Sequence, residues 1–246
     1  MKLRILTLLA ITFTLMGCQF SETMVMNEDG SGTLSVEVNL NEMMAFGGGV
    51  MDDSLAVKMD TIIDMKQFLE EKKDSIAALS QEAQQKLERM ENYKIHMVMD
   101  SKAAVMVYDI STDFKNVNEA DDILNKIQQA GNIVPDPSAT TEIKAEEDAP
   151  DIIGVRYSFK KGVFKRDAYI KDETLHQKEV DSLKQAESFM VGSNYTLKYT
   201  FPKKIKKASN PDATFSLDGK TITVQQPFLA YFKNPDLLDL EVELEK

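Results

Sequence analysis

The strongest constraint on the fold is a pattern of alternating apolar and polar residues in short, paired segments. Leu34, Val36 and Val38 alternate with polar residues, and this period of two is typical of a strand with one buried face. Segments of this kind occur in pairs at 20–26 and 33–40, 95–99 and 104–110, 153–159 and 163–170, and 215–217 and 222–224. Short turn sequences, such as Asp218-Gly219, separate the members of each pair. The pattern predicts β-hairpins and therefore an antiparallel sheet.

Stretches with helical spacing lie between these pairs. Apolar residues recur every three or four positions in 75–91, and we also predict helices at 52–71, 117–130 and 172–191. Hairpins that alternate with amphipathic helices predict an α+β fold, with the helices packed on one face of an antiparallel sheet. We expect a single domain over 23–246. The Pro-rich and acidic stretch 131–150 predicts a mobile loop within it.

The N-terminus has the pattern of a secretion signal. Lys2 and Arg4 precede an apolar run at 5–16, which is followed by Gly17 and Cys18. The sequence Leu-Met-Gly-Cys resembles the lipobox of bacterial lipoproteins. That resemblance implies cleavage between Gly17 and Cys18, removal of 1–17 as a signal peptide, and attachment of acyl chains to Cys18. Residues 18–22 would then form a short lipidated tether, and several acyl chains would anchor it stably.

The charge and cysteine content exclude some classes of protein. The chain has 40 acidic and 29 basic residues, a formal net charge of −11, which argues against a nucleic-acid partner. It has 1 cysteine, so an intramolecular disulfide cannot form. The domain must therefore be stabilised by its core alone.

Two basic clusters stand out in this acidic chain. We regard them as a candidate surface for an anionic partner such as lipid headgroups, lipopolysaccharide or an acidic protein. Lysines at turns also protect strand edges without any binding role, and that interpretation remains open. The candidate residues are Lys160, Lys161, Lys165, Arg166, Lys203, Lys204, Lys206 and Lys207.

The sequence contains no recognisable catalytic or metal-binding motif. The two histidines, His96 and His176, are 80 positions apart, and neither lies near a nucleophile in a known arrangement. A zinc site needs Cys and His at close spacing, which Cys18 and these histidines do not provide. We therefore predict no enzymatic activity, no metal and no cofactor. The alternative is a cryptic envelope hydrolase with a carboxylate-based site.

The order of motifs resembles a loosely defined group of bacterial envelope lipoproteins, the LppM-like proteins. The resemblance is carried by NEDGSGTLSVEVNL after the lipobox, by the hairpin at 94–110, and by the late YTFPKKIKKAS and LDGKTITV segments. Two features depart from the group: this chain has no tryptophan, and it ends in the acidic EVELEK. The resemblance implies a soluble α+β domain on a lipid anchor, and no catalytic residues.

Taken together, these features predict a membrane-anchored envelope lipoprotein without catalytic activity. We expect it to bind a lipid or other amphiphile, or to act as an envelope scaffold for another protein. The expected location is the outer membrane, facing the periplasm, with the cell surface as the alternative. The acyl chains on Cys18 would provide the contact with the membrane.

Overall fold

The computed structural model describes residues 18–47, 58–120, 152–184, 187 and 190–246. Its strands are β1 (Gln19–Met26), β2 (Gly32–Asn39), β3 (Lys58–Asp64), β4 (Tyr93–Asp100), β5 (Val105–Phe114), β6 (Ile153–Lys160), β7 (Val163–Ile170), β8 (Asn194–Thr200), β9 (Ile205–Ala208), β10 (Thr214–Phe215), β11 (Thr221–Pro227) and β12 (Leu240–Leu244). Its α-helices are α1 (Asn41–Gly47), α2 (Met65–Glu71), α3 (Lys73–Ala77), α4 (Gln81–Glu88), α5 (Glu173–Leu183) and α6 (Phe228–Lys233).

The strands form two sheets. The 8-stranded sheet has the order β10-β11-β8-β1-β2-β5-β4-β3, and the 4-stranded sheet has the order β6-β7-β12-β9. The predicted hairpins β1–β2, β4–β5, β6–β7 and β10–β11 are all present as antiparallel pairs. The central pair β1–β8 is parallel. A parallel pair needs a long connection between its strands, and the residues between β1 and β8 provide one.

One hydrophobic core joins the two sheets and the helices. Phe164 of β7 packs its ring edge-on against Tyr199 of β8, with 5.5 Å between the ring centroids. Met65 of α2 and Leu87 of α4 belong to the same core as Ile95 of β4. The buried face of the larger sheet is therefore covered partly by helices and partly by the smaller sheet. The predicted α+β fold with an antiparallel sheet is confirmed.

The prediction of a helix over 52–71 is wrong for residues 58–64, where the structure's description of this range begins. Residues 58–64 form the edge strand β3, and only 65–71 are helical. Ile63 pairs with Ile95 of β4, and neighbouring Thr61, Ile62 and Ile63 are β-branched residues that favour a strand. The carboxylate of Asp64 accepts hydrogen bonds from the backbone N–H groups of Lys66 and Gln67. This cap begins α2 at Met65.

The other predicted helices are shorter than expected. The 75–91 stretch holds the end of α3 and then α4, which begins after its N-cap Ser80. The 172–191 stretch is α-helical over Glu173–Leu183. The 117–130 stretch begins with a 3₁₀ turn at Val117–Glu119, and 121–130 lie outside the described residues. The loop predicted at 131–150 also lies outside them.

The predicted tether is not a separate segment. Residues 19–22 belong to β1, and Glu22 is 2% exposed in the core. The folded domain therefore starts immediately after Cys18 rather than at residue 23.

Candidate functional site

The first basic cluster begins at the turn between β6 and β7. Lys161 and Gly162 have φ values of 54° and 79°, and two positive φ values in succession are typical of a tight two-residue hairpin turn. The turn leaves Lys160 and Lys161 exposed. The backbone N–H of Leu244, at the end of β12, donates to the carbonyl oxygen of Gly162 at 2.9 Å. The turn therefore lies beside the end of β12.

The second basic cluster lies beside the same end of β12. The backbone N–H of Glu245, the residue after Leu244, donates to the carbonyl oxygen of Lys204 at 2.8 Å. Lys203 and Lys204 are both exposed. The two basic turns, which are about forty residues apart in sequence, therefore meet at one end of the molecule.

The loop between β10 and β11 extends this end with apolar side chains. It runs over residues 216–220, and the carbonyl oxygen of Gly219 accepts from the N–H of Ile205 at 2.8 Å. The exposed fractions of Phe215 and Leu217 are 53% and 109%. Gly219 has a φ of 70°, so the Asp-Gly signal located the turn, although the observed loop has more than the two residues predicted.

We call this region the end surface. It combines exposed lysines from two turns and the half-buried Lys220 with two exposed apolar side chains. Its residues are Lys160, Lys161, Lys203, Lys204, Phe215, Leu217 and Lys220.

The remaining basic candidates lie on strands next to carboxylates. Lys165 is 2.6 Å from Glu241, and Lys206 forms an ion pair with Glu243. Lys207 is directly opposite Glu243 in the β9–β12 pair, and the charges of Lys206 and Lys207 help to lower the pKa of Glu243. In contrast, the lysines of the end surface form no ion pair with any described residue. The basic candidates that form no ion pair with a described residue are thus mainly the lysines at the turns.

Arg166 does not belong to any surface. It lies on β7 in alternation with Phe164 and Ala168, so its side chain points into the core and the residue is 2% exposed. Its inclusion in the anionic-partner surface was therefore wrong. Its partner is the carboxylate of Glu22 on β1, across the gap between the sheets, with 3.2 Å between Nη2 and Oε2.

The Glu22 carboxylate is saturated with hydrogen-bond donors. Tyr157 donates to Oε1 at 2.6 Å, Tyr195 donates to Oε2 at 2.8 Å, and Tyr199 also donates to Oε1. Arg166 donates from Nε and Nη2, and its Nη1 donates to the carbonyl oxygen of Leu238 at 3.1 Å. These contacts satisfy a buried ion pair, which would otherwise be very costly.

The protonation states in this cluster are held by the ion pair. Burial alone would raise the pKa of Glu22. The charge and hydrogen bonds of Arg166, together with the hydrogen bonds that Tyr157 and Tyr199 donate, instead lower this pKa below its usual value. Burial and the nearby Glu22 charge raise the pKa of Tyr195 well above its usual range. The carboxylate stays charged and the phenols stay neutral. The cluster fills the gap between the sheets and joins them.

This cluster was not predicted from the sequence, although a signal for it was present. In β1, Phe20, Glu22, Met24 and Met26 share the inward alternation, so Glu22 occupies a core position. In β7, Arg166 occupies the corresponding position. One acid and one base at buried strand positions predict a buried pair between two sheets, because an unpaired buried charge is too costly.

Cys18 lies directly before β1 and is partly exposed. Its carbonyl oxygen accepts from the N–H of Asn194 at 3.2 Å, and burial raises the pKa of its thiol. Gly17 lies outside the described residues. Among the residues that the structure describes, no helix combines the length and hydrophobicity needed to cross a membrane.

The histidines lie on different elements and have ordinary partners. The Nε2 atom of His96 is 2.8 Å from Asp60 Oδ1 on the neighbouring strand. His176 is buried in α5 and donates from Nε2 to the carbonyl oxygen of Phe232 at 2.7 Å. In the described ranges, no group of three or more His, Cys, Asp or Glu side chains could hold a metal ion.

A polar cleft of about 540 Å³ opens beside β4 and β5. Its lining includes carboxylates Asp64, Asp113 and Glu119 and lysines Lys66, Lys94 and Lys115. The lining carries charges of both signs, and neither histidine is among its residues.

In comparisons with protein families, curated proteins and solved structures, nothing matches this chain. The resemblance to the LppM-like lipoproteins therefore stays a prediction.

Proposed function

We propose that this protein is a lipid-anchored envelope protein that acts without catalysis, as a scaffold that holds an anionic partner at its end surface. The observation that carries the proposal is the convergence of Lys160 and Lys161 with Lys203 and Lys204 beside exposed apolar side chains. In a chain of net charge −11, such a local concentration of positive charge creates a distinct attractive field. The Gly17-Cys18 pattern supports the anchor, in the outer membrane facing the periplasm or at the cell surface.

Surface docking is favoured over an amphiphile held between the sheets. The gap there is occupied by Glu22, Arg166 and the phenols that donate to Glu22. Phe164 adds close ring contacts with Tyr199 and Phe201. An amphiphile at this place would have to displace a saturated ion pair, whose separation leaves two buried charges without partners.

The anchor is tested by growing bacteria that express the full chain with an alkyne-bearing fatty acid. We expect label on the wild-type protein and recovery in the membrane fraction. Cys18→Ala should carry no label, whereas Ser21→Ala, on the strand that follows Cys18, should be labelled normally. Label retained on Cys18→Ala would contradict the anchor.

The docking role is tested by retention of the purified full chain on an anionic chromatography matrix. We expect retention that weakens with salt, because the attraction is electrostatic. Lys203→Glu/Lys204→Glu should abolish it. Lys66→Glu/Lys178→Glu reverses the same number of exposed lysines elsewhere and should preserve it. Equal loss in both double variants would show a dependence on net charge alone and contradict the proposal.

A further inference from the structure

The end surface has the chemistry of a site for a lipid bilayer. Leu217 is fully exposed in the β10–β11 loop, two residues after Phe215, and the turn that carries Lys203 and Lys204 lies beside this loop. Apolar side chains that protrude beside lysines can enter the acyl region while the ammonium groups meet anionic headgroups. We propose that the end surface binds bilayers that contain anionic phospholipids.

The composition of the end surface favours a bilayer over a protein partner. Protein interfaces are enriched in Tyr, Trp, Met and Arg and depleted in Lys. The charged groups of the end surface that could bind an anion are lysines only, and its apolar residues protrude instead of forming a flat patch. A bilayer needs no shape complementarity. Each lysine near an anionic leaflet adds attraction without a fixed partner.

Acidic groups at this end offset part of this charge, among them Asp218 within the loop and the exposed Glu245, whose backbone N–H donates to the carbonyl oxygen of Lys204. Asp218 accepts from Ser216 and from the backbone N–H of Lys220, and these hydrogen bonds lower its pKa. Glu28 and Asp29 lie in the β1–β2 loop, at the same end of the larger sheet, but β8 separates that loop from β11. The lysines of the end surface can still meet anionic headgroups while the exposed loop beside them enters the bilayer.

The end surface is remote from Cys18. Strands β1 and β8 run parallel, with Gln19 opposite Asn194 and Val25 opposite Thr200. Thr200 is opposite Thr221, where β11 leaves the loop that carries Leu217. The 7 residues of β8 separate the two ends by about 23 Å at ~3.3 Å per residue. A domain held at Cys18 thus presents the end surface away from its own membrane, so the bilayer it contacts is a second one.

This inference rests on the proposed function, in which the end surface is used for docking. The experiment distinguishes failure of the bilayer inference from failure of the docking proposal. Full-length protein is reconstituted into phosphatidylcholine vesicles through its N-terminal segment. Separate fluorescent vesicles are added, made of phosphatidylcholine with or without phosphatidylglycerol. We expect capture of the vesicles that contain phosphatidylglycerol, decreasing with salt, and no capture of pure phosphatidylcholine vesicles.

Double variants distinguish the contribution of the apolar side chains to vesicle capture from the contribution of the lysines. Lys203→Glu/Lys204→Glu should reduce capture at least about tenfold, and Phe215→Ser/Leu217→Ser should also reduce it, since both apolar side chains are already exposed and their loss leaves the fold intact. Lys66→Glu/Lys178→Glu should capture normally. Circular dichroism melting checks that each variant is folded.

Capture that persists in both end-surface variants, or that is equal for the two vesicle types, would overturn the inference. Retention on the anionic matrix without vesicle capture would also overturn it and would leave the docking proposal standing. If the wild-type protein showed neither retention on the anionic matrix nor capture of vesicles, both proposals would be wrong.

Discussion

At the scale of single residues, Glu22 is a charged group buried in the core. Its carboxylate is opposite Val36 and Leu197 in the sheet, where neighbouring positions are apolar, and it is paired with Arg166. Glu22→Gln leaves Arg166 buried without a charged partner. We expect the free energy of unfolding to fall by about 3–5 kcal/mol, measured by urea denaturation.

The matched control for this change is Glu28→Gln in the exposed β1–β2 loop, which should change the free energy of unfolding by no more than about 0.5 kcal/mol. Replacing both members of the pair, with Glu22→Leu and Arg166→Met, should cost less than the sum of the single changes, because neither charge is left alone. If the loss in unfolding free energy for the double change equalled the sum for the two single changes, Glu22 and Arg166 would not be energetically coupled.

The same residue predicts a pH dependence. The pKa of Glu22 is lowered in the folded state, so its contribution to stability is fully present above the unfolded pKa of about 4.3. That contribution is lost as the pH falls through the lower folded pKa, because the unfolded state takes up the proton first. The difference in unfolding free energy between wild type and Glu22→Gln should shrink below about pH 4.3. A difference that is constant between pH 7 and pH 3 would show that Glu22 does not titrate in this way.

At the scale of elements, the hairpins could be predicted from local sequence, whereas the strands that bring the two buried charges together could not be identified. Alternation with a period of two, together with Gly-bearing turns, defines β1–β2 and β6–β7 from local sequence alone. The pairing of β1 with β8 and the contact of Glu22 with Arg166 depend on which distant strands meet. Local patterns carry no information about that. Arg166 was misassigned because it adjoins Lys165 in sequence, whereas neighbours on a strand point to opposite faces.

Gly32 shows how closely the first hairpin is packed. A Cβ atom at this position would lie 2.2 Å from the carbonyl oxygen of Val25 and 2.5 Å from Cζ of Phe114. A backbone oxygen cannot move away cheaply, so Gly32→Ala should lower the free energy of unfolding by about 1–3 kcal/mol. Thermal unfolding measures the loss, and Ser35→Ala on the same strand is the control. Adding Phe114→Leu should restore only part of the stability, because the clash with Val25 remains.

At the scale of the whole molecule, Cys18, where we propose the anchor, and the end surface lie at opposite ends of the central β1–β8 pair. Gln19 follows Cys18 directly and already belongs to β1, so no free tether lets the domain turn over. The side chain of Gln19 donates to the carbonyl oxygen of Gly192 at 3.2 Å, which places the exposed Val191 beside the anchored end. Leu217 lies at the other end. If acyl chains on Cys18 hold the protein at a membrane, as we propose, the fold determines its orientation there.

This orientation predicts a difference between two dye positions. Acylation of Cys18 converts its thiol to a thioether, so Val191→Cys and Leu217→Cys each introduce one reactive thiol. In vesicles of phosphatidylcholine with spin-labelled lipid, a dye at position 191 should be strongly quenched and a dye at position 217 should not, because the β8 strand between them spans about 23 Å. Equal quenching at the two positions would mean that the domain lies flat on the bilayer. Mass spectrometry provides a separate check, because two dyes per protein would show that Cys18 carries no acyl group.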